Sequence, residues 1–145
     1  MAAMQGAGRK FSMVPGTYAV CRLPANSAVP EWASRGFVSI TRTADELSIV
    51  CEERRLPRDP GGIELQAERG WLLLKLQGPF PLDAVGVLAS VARPLAEAAI
   101  SFFALSTFDT DYILVRRTRA KEAIAALTLA GHKLVEPTSG AFRRS

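Results

Sequence analysis

Apolar and polar residues along the chain follow two rhythms. "TYAVCRL" (17–23) alternates with a period of two, as a half-buried strand does. "GFVSITRT" places Val38 and Ile40 on one face, and "ELSIVCE" places Leu47, Ile49 and Cys51 on one face. Two such runs joined by a few polar residues predict a β-hairpin. Later, "WLLLKLQ" turns Leu72, Leu74 and Leu76 inward, and "ISFFALST" with "DYILVRR" predicts a second hairpin. The rhythm changes at Leu82, Val85, Leu88, Ala89, Ala92, Leu95, Ala96 and Ala99, whose i, i+3, i+4 spacing predicts a helix with one buried face. Asp83 is its expected N-cap and Ala98 its approximate end, with a kink or break at Pro94. "RAKEAIAALTLA" predicts a further helix, with Ala123, Ile124 and Leu127 inward, Thr118 as cap and Gly131 as C′. "HKLVE" supplies a last short strand.

The two halves correspond. Tyr18–Leu23 matches Trp71–Leu76 in its aromatic start, basic fifth position and closing Leu. "ADELSIV" (44–50) is set against "DTDYILV" (109–115), so the offset grows from 53 to 65. The first copy therefore has a helix about three turns shorter, reduced to a helical turn around Pro30–Ser34. "RRLPRDPGGIE" interrupts regular structure between the copies. The order is β-α-β-β twice, with a closing α-β clear only in the second copy. That is the ferredoxin-like plan, with helices on one face of an antiparallel sheet. The fold class expected is α+β: two tandem ferredoxin-like βαββαβ modules, the first abbreviated. The expected boundaries are a disordered tail over 1–13, modules over 14–68 and 69–136, and a second tail over 137–145.

Composition removes several functions. Net charge is +4, but the basic residues are scattered, with no stripe interleaved with exposed aromatics. An RNA-recognition module is disfavoured as well, because the basic-Gly-aromatic-Gly pattern is missing. Nucleic acid is not an expected partner. No apolar run approaches the roughly 18–20 residues that cross a bilayer, and the first dozen residues lack the apolar core of a secretory signal. A cytoplasmic protein with no membrane partner is expected. Cys21 and Cys51 fall within strand patterns and read as buried free thiols, and His132 is the only histidine. That inventory leaves no metal site, no cofactor and no nucleophile–base pair, so no catalysis is expected.

The segment "GPFPLDAVGVLASVARPLAEAAISFFALSTFDTDYILV" (78–115) resembles the small bacterial proteins built from two tandem ACT domains. It is also similar to ACT modules of the CASTOR-type arginine sensors and, more remotely, of aspartate kinases. The resemblance is tightest over 71–135 and weaker over 17–52. It implies the fold just described and a regulatory role: binding an amino acid or other small effector at an interface between modules.

An amino acid's carboxylate needs N–H donors, which a helix N-terminus supplies with a favourable dipole. Loop 78–86 fits that need. The ligand's ammonium needs oxygen acceptors, which the turn around 108–111 can offer. Carried over from the resembling sensors, the contacts would be Thr107, Phe108 and Asp111, with Asp83, Val85 and Gly86 on the opposite lip. Asp111 would take a cation by charge-assisted hydrogen bonds, or else is a solvated strand-edge acid. Phe108 would pack on an aliphatic stem, a cation or a neighbouring module. Asp109 reads as a turn former. The alternative is a ligand-free module for protein–protein interaction or oligomerisation; the abbreviated first copy favours association, a homodimer being its simplest form.

Overall fold

The computed structural model describes residues 8–59, 61–62 and 64–137. Residues 1–7 and 138–145 of the expected tails lie outside the described residues. The chain divides into two compact units, Gly16–Trp71 and the described residues of Met1–Pro15 with Leu72–Ser145. The division at Trp71 falls a little beyond the expected 68/69 boundary. The N-terminal side brings a correction. Lys10–Met13, expected in a tail, begin strand β1 (Lys10–Leu23). Phe11 is fully buried in the second unit's core, which is why this segment is ordered.

In the first unit, β2 (Val38–Arg42) and β3 (Leu47–Glu52) form the expected hairpin, and β3 pairs antiparallel with β1. The periodicity acts as anticipated. Ala19, Cys21, Leu23, Leu47, Ile49 and Cys51 share one buried face. That face is covered by the short 3-10 turn Glu31–Ala33 and by Leu56, with no long helix among the described residues. Another 3-10 turn, Glu53–Arg55, stands where a second helix would begin. Cys21 and Cys51 are both free and buried. Their thiols touch: the shared hydrogen bond, with burial, pushes Cys21 up, while the same bond holds Cys51 down.

The second unit carries the full plan. The described order is β1-β4-β6-β5, with β7 (Lys133–Leu134) parallel to Lys10–Phe11. Here β4 is Gln66–Leu76, β5 Phe102–Ser106 and β6 Asp111–Arg116. Helices α1 (Val87–Glu97) and α2 (Ala120–Leu129) pack on one face of this sheet. Val87, Val91 and Leu95 from α1 meet Leu74, Leu76, Ile113, Val115, Ala123 and Leu127 in one core. The fold is α+β and ferredoxin-like.

Three details of the helices differ from expectation. First, α1 starts at Val87, four residues after Asp83, and its N-cap is Gly86. Pro81 accepts a hydrogen bond from Ala84 N–H in a turn, so Asp83 lies in that turn and caps nothing. Second, Thr118 sits inside a 3-10 turn, Arg117–Arg119, and the N-cap of α2 is Arg119. Third, Pro94 does not divide α1, which is continuous through it. A proline at 94 leaves the Ser90 carbonyl without its helical donor. His132 Nε2 lies 2.7 Å from that oxygen, while His132 Nδ1 accepts Arg9 N–H at 2.9 Å. The imidazole is the neutral Nε2–H tautomer and joins α1 to the start of β1.

Both helices end alike. Gly131 N–H reaches Thr128 O and His132 N–H reaches Leu127 O, the double bond of a Schellman end with Gly131 at φ 101°. In α1, Ala99 and Ile100 N–H reach Ala96 and Leu95 O, with Ala99 at φ 58° in glycine's usual role.

The hairpins fix the true register of the repeat. Thr43 N–H bonds Glu46 O (2.9 Å) as Thr107 N–H bonds Thr110 O (2.8 Å). Arg42 pairs with Leu47, and Ser106 with Asp111. The offset here is 64, one less than matching acid to acid had suggested. A single-residue slip would exchange the faces of the strands, and the burial of Ile49 and Cys51 against Ile113 and Val115 selects 64.

Candidate functional site

The β5–β6 turn is built from its threonines. Thr107 Oγ1 donates to Thr110 O at 3.1 Å and accepts Thr110 N–H at 3.3 Å. Thr110, which is buried, turns its own hydroxyl onto Leu76 O at 2.7 Å and so anchors the turn to β4. Ser106 Oγ donates to Asp111 Oδ1 at 2.6 Å, which sets the orientation of that carboxylate. Asp109 contributes its backbone, because Phe80 N–H donates to Asp109 O at 2.8 Å. Gly78 gives the turn room beside it: a Cβ there would meet Asp109 O at 3.1 Å, a tight contact that the backbone would have to ease by a few tenths of an ångström. Burial, and then the nearby Asp109 carboxylate, push the Tyr112 phenol above its ordinary range.

The loop before α1 forms the opposite wall. Phe80 packs against the core and lies under Arg9, whose guanidinium carbon is 5.7 Å from the ring centroid. Gly86, at φ 85°, turns the chain into α1 in a conformation that side chains resist. No side chain caps this end and its first turn holds no acid. The first helical bond is Ser90 N–H to Gly86 O, 3.0 Å, so the N–H groups of Val87, Leu88 and Ala89 precede it. Such donors carry the positive end of the helix dipole and suit an anion.

Between the walls lies a groove of about 290 Å³. Of the residues selected from sequence, Gly86, Thr107, Phe108 and Asp111 line it. Asp83 and Val85 do not; both are exposed on the turn outside, because α1 begins later than its apolar spacing implied. Sequence reasoning missed Phe80, Ser106 and Thr110. The Ser-Thr bracketing of "STFDTD" was the available signal for the last two. Phe108 stands 77% exposed and Leu82 70%, so the groove has an apolar rim. Among the described residues no cluster of three or more His, Cys, Asp or Glu could hold a metal ion, and no helix is long and apolar enough to cross a membrane.

The fold and groove define a class: a ferredoxin-like module opening at a helix N-terminus beside a hairpin turn. An ACT-domain family model matches residues 66–128, and a model of an N-terminal domain matches 16–59. The chain belongs to the ACT-domain proteins. It is 41% identical to protein Atu0741 from Agrobacterium tumefaciens, with 91% of this chain and 96% of that one covered and a TM-score of 0.81. It is 38% identical over 86 residues to the cytosolic arginine sensor for mTORC1 subunit 1 from Bos taurus, covering 55% of this chain and 26% of the sensor. The chain thus spans about a quarter of that sensor's length. The ligand-free regulatory subunit of aspartate kinase from Thermus thermophilus has a TM-score of 0.58 at 11% identity over 86% of this chain and 99% of that one, a likeness of fold.

Proposed function

We propose that this chain is a regulatory module that binds an amino acid in the groove of its second unit and catalyses nothing itself. The observation that carries this reading is the opposition of two unlike walls. The uncapped start of α1 presents N–H groups to a carboxylate. The β5–β6 turn presents the Asp111 carboxylate to an ammonium or guanidinium. Phe108 supplies an apolar surface for the ligand's stem. Asp83 and Val85, exposed outside the groove, are not among its contacts. The similarity to a cytosolic arginine sensor supports an amino-acid effector and a cytoplasmic location. Thermal-shift measurements against the twenty amino acids test the proposal. A cationic amino acid should raise the melting temperature, and Asp111→Asn should abolish the rise while the apo protein still melts cooperatively. No shift with any amino acid at millimolar concentration would refute it.

A second reading follows from the exposed Leu82, Val85 and Phe108, which suit a protein contact, including one with a second copy. Light scattering separates the two. A dimer lost on Phe108→Ser, with no ligand shift in the parent protein, would favour association as the primary role.

A further inference from the structure

The first unit repeats the hairpin turn that forms one wall of the groove, while the helix start that forms the other wall is reduced to the 3-10 turn Glu31–Ala33, and arginine side chains hold the turn and the loop. Ala25 corresponds to Gly78 at the strand offset of 53, and Thr43–Glu46 corresponds to Thr107–Thr110 at the turn offset of 64. In the second unit, the carbonyl of Asp109 receives the loop's own Phe80 N–H. In the first, the matching carbonyl of Asp45 receives Arg22 Nη2 at 3.0 Å, and Arg22 also pairs with Glu46 at 3.8 Å. At the position of Ser106 stands Arg42, whose Nη1 donates to Ala25 O across the loop. At the position of Asp111 stands Leu47, fully buried in the core.

We propose that Arg42 is a built-in occupant of this degenerate groove. Its guanidinium joins the hairpin to the loop at the place where the second unit is open, so among the described residues one such ligand-accepting groove is open and not two. Three features carry the assignment. The turns share their hydrogen-bond pattern, which makes the comparison position by position. The carboxylate that would hold a free cation is replaced by Leu47. Ala25 O, across the loop, is already taken by a guanidinium that is covalently attached and carries almost no association entropy. That the open groove accepts a ligand rests on the proposed function; the internal occupancy does not.

Amide hydrogen exchange on the full chain tests this region by region, with methylguanidinium at about 10 mM as the probe. Arg42→Ala should speed exchange in residues 25–29 by about tenfold, the loss of one charge-assisted bond. Arg42→Lys, which keeps the charge without the planar fork, should give a smaller increase. The probe should slow those residues in Arg42→Ala and leave them unchanged in the parent protein. Unchanged exchange in Arg42→Ala would overturn the proposal, as would slowing of residues 25–29 by the probe in the parent. Protection of residues 107–111 reports on the second unit's groove separately, so failure there would count against the proposed function and leave the Arg42 assignment standing.

Discussion

Two hairpin turns made to the same pattern end in different chemistry. Both are closed by a threonine that bonds the residue three positions on. In the second unit, the side chains after that closure point to anchoring and to a held carboxylate: Thr110 onto Leu76 and Ser106 onto Asp111. In the first, guanidinium groups take their place, Arg22 on the turn's Asp45 O and Arg42 on the loop's Ala25 O. The difference teaches that the turn's backbone is what the two units share. The side chains at two positions, 42 or 106 and 47 or 111, set whether the turn carries a held carboxylate or a guanidinium tie.

The contrast can be strained at several points. The largest effect is expected at His132, which serves the second unit alone. His132→Ala leaves Arg9 N–H and the proline-freed Ser90 carbonyl without their partner and should cost about 2 kcal/mol in urea unfolding. Thr110→Val removes the buried bond to Leu76 O and should cost about 1–2 kcal/mol. The matching change Glu46→Ala, at a partly exposed site with a 3.8 Å pair, should stay within about 0.5 kcal/mol. Equal costs at the two positions would undo the comparison.

The helix ends give a smaller and opposite pair. Ala99→Gly relieves a left-handed alanine and should stabilise by up to about 1 kcal/mol, whereas Gly131→Ala should destabilise by about that amount. Thermal melts of both variants decide it. The smallest effect is a pH dependence. The Tyr112 phenol has its folded-state value raised, so the fold favours the neutral form. Its contribution is complete below the ordinary value of 10.0 and is lost as pH rises through the raised one. Stability should decline across that window in the parent protein and decline less in Tyr112→Phe.

Much of this was legible in the sequence. Period-two and period-3.6 patterns located both hairpins and both helices, because burial on one face leaves its mark on every second or every third and fourth residue. Gly131 was legible as a helix end because little else tolerates its φ. The start of α1 was not. Leu82 and Val85 continue the helical spacing backwards although neither is buried, and Asp83 resembles a cap. The Pro81–Ala84 turn overrides both. Lys10–Met13 were illegible for another reason: their partners, Lys133 and Leu134, lie more than a hundred residues away, beyond any local pattern. Within the site, Gly86, Thr107, Phe108 and Asp111 could be read from the sequence. Phe80 could not, because the bond that sets it beside the turn uses a backbone N–H that every loop residue but proline possesses.

The pairing of β7 with the first residues of β1 bears on the order in which the chain can fold as it is made. Residues 16–71 are contiguous, so the first unit has all its parts as soon as Trp71 has left the ribosome. The second unit must hold Phe11 in waiting. Its backbone partners at Lys133 and Val135 are synthesised only after both helices, with Lys133 N–H bound to Arg9 O and Val135 N–H to Phe11 O. At roughly 5–20 residues per second, that interval lasts several seconds, during which an apolar strand end has no core to enter. The module with the open groove is therefore the later of the two to be completed.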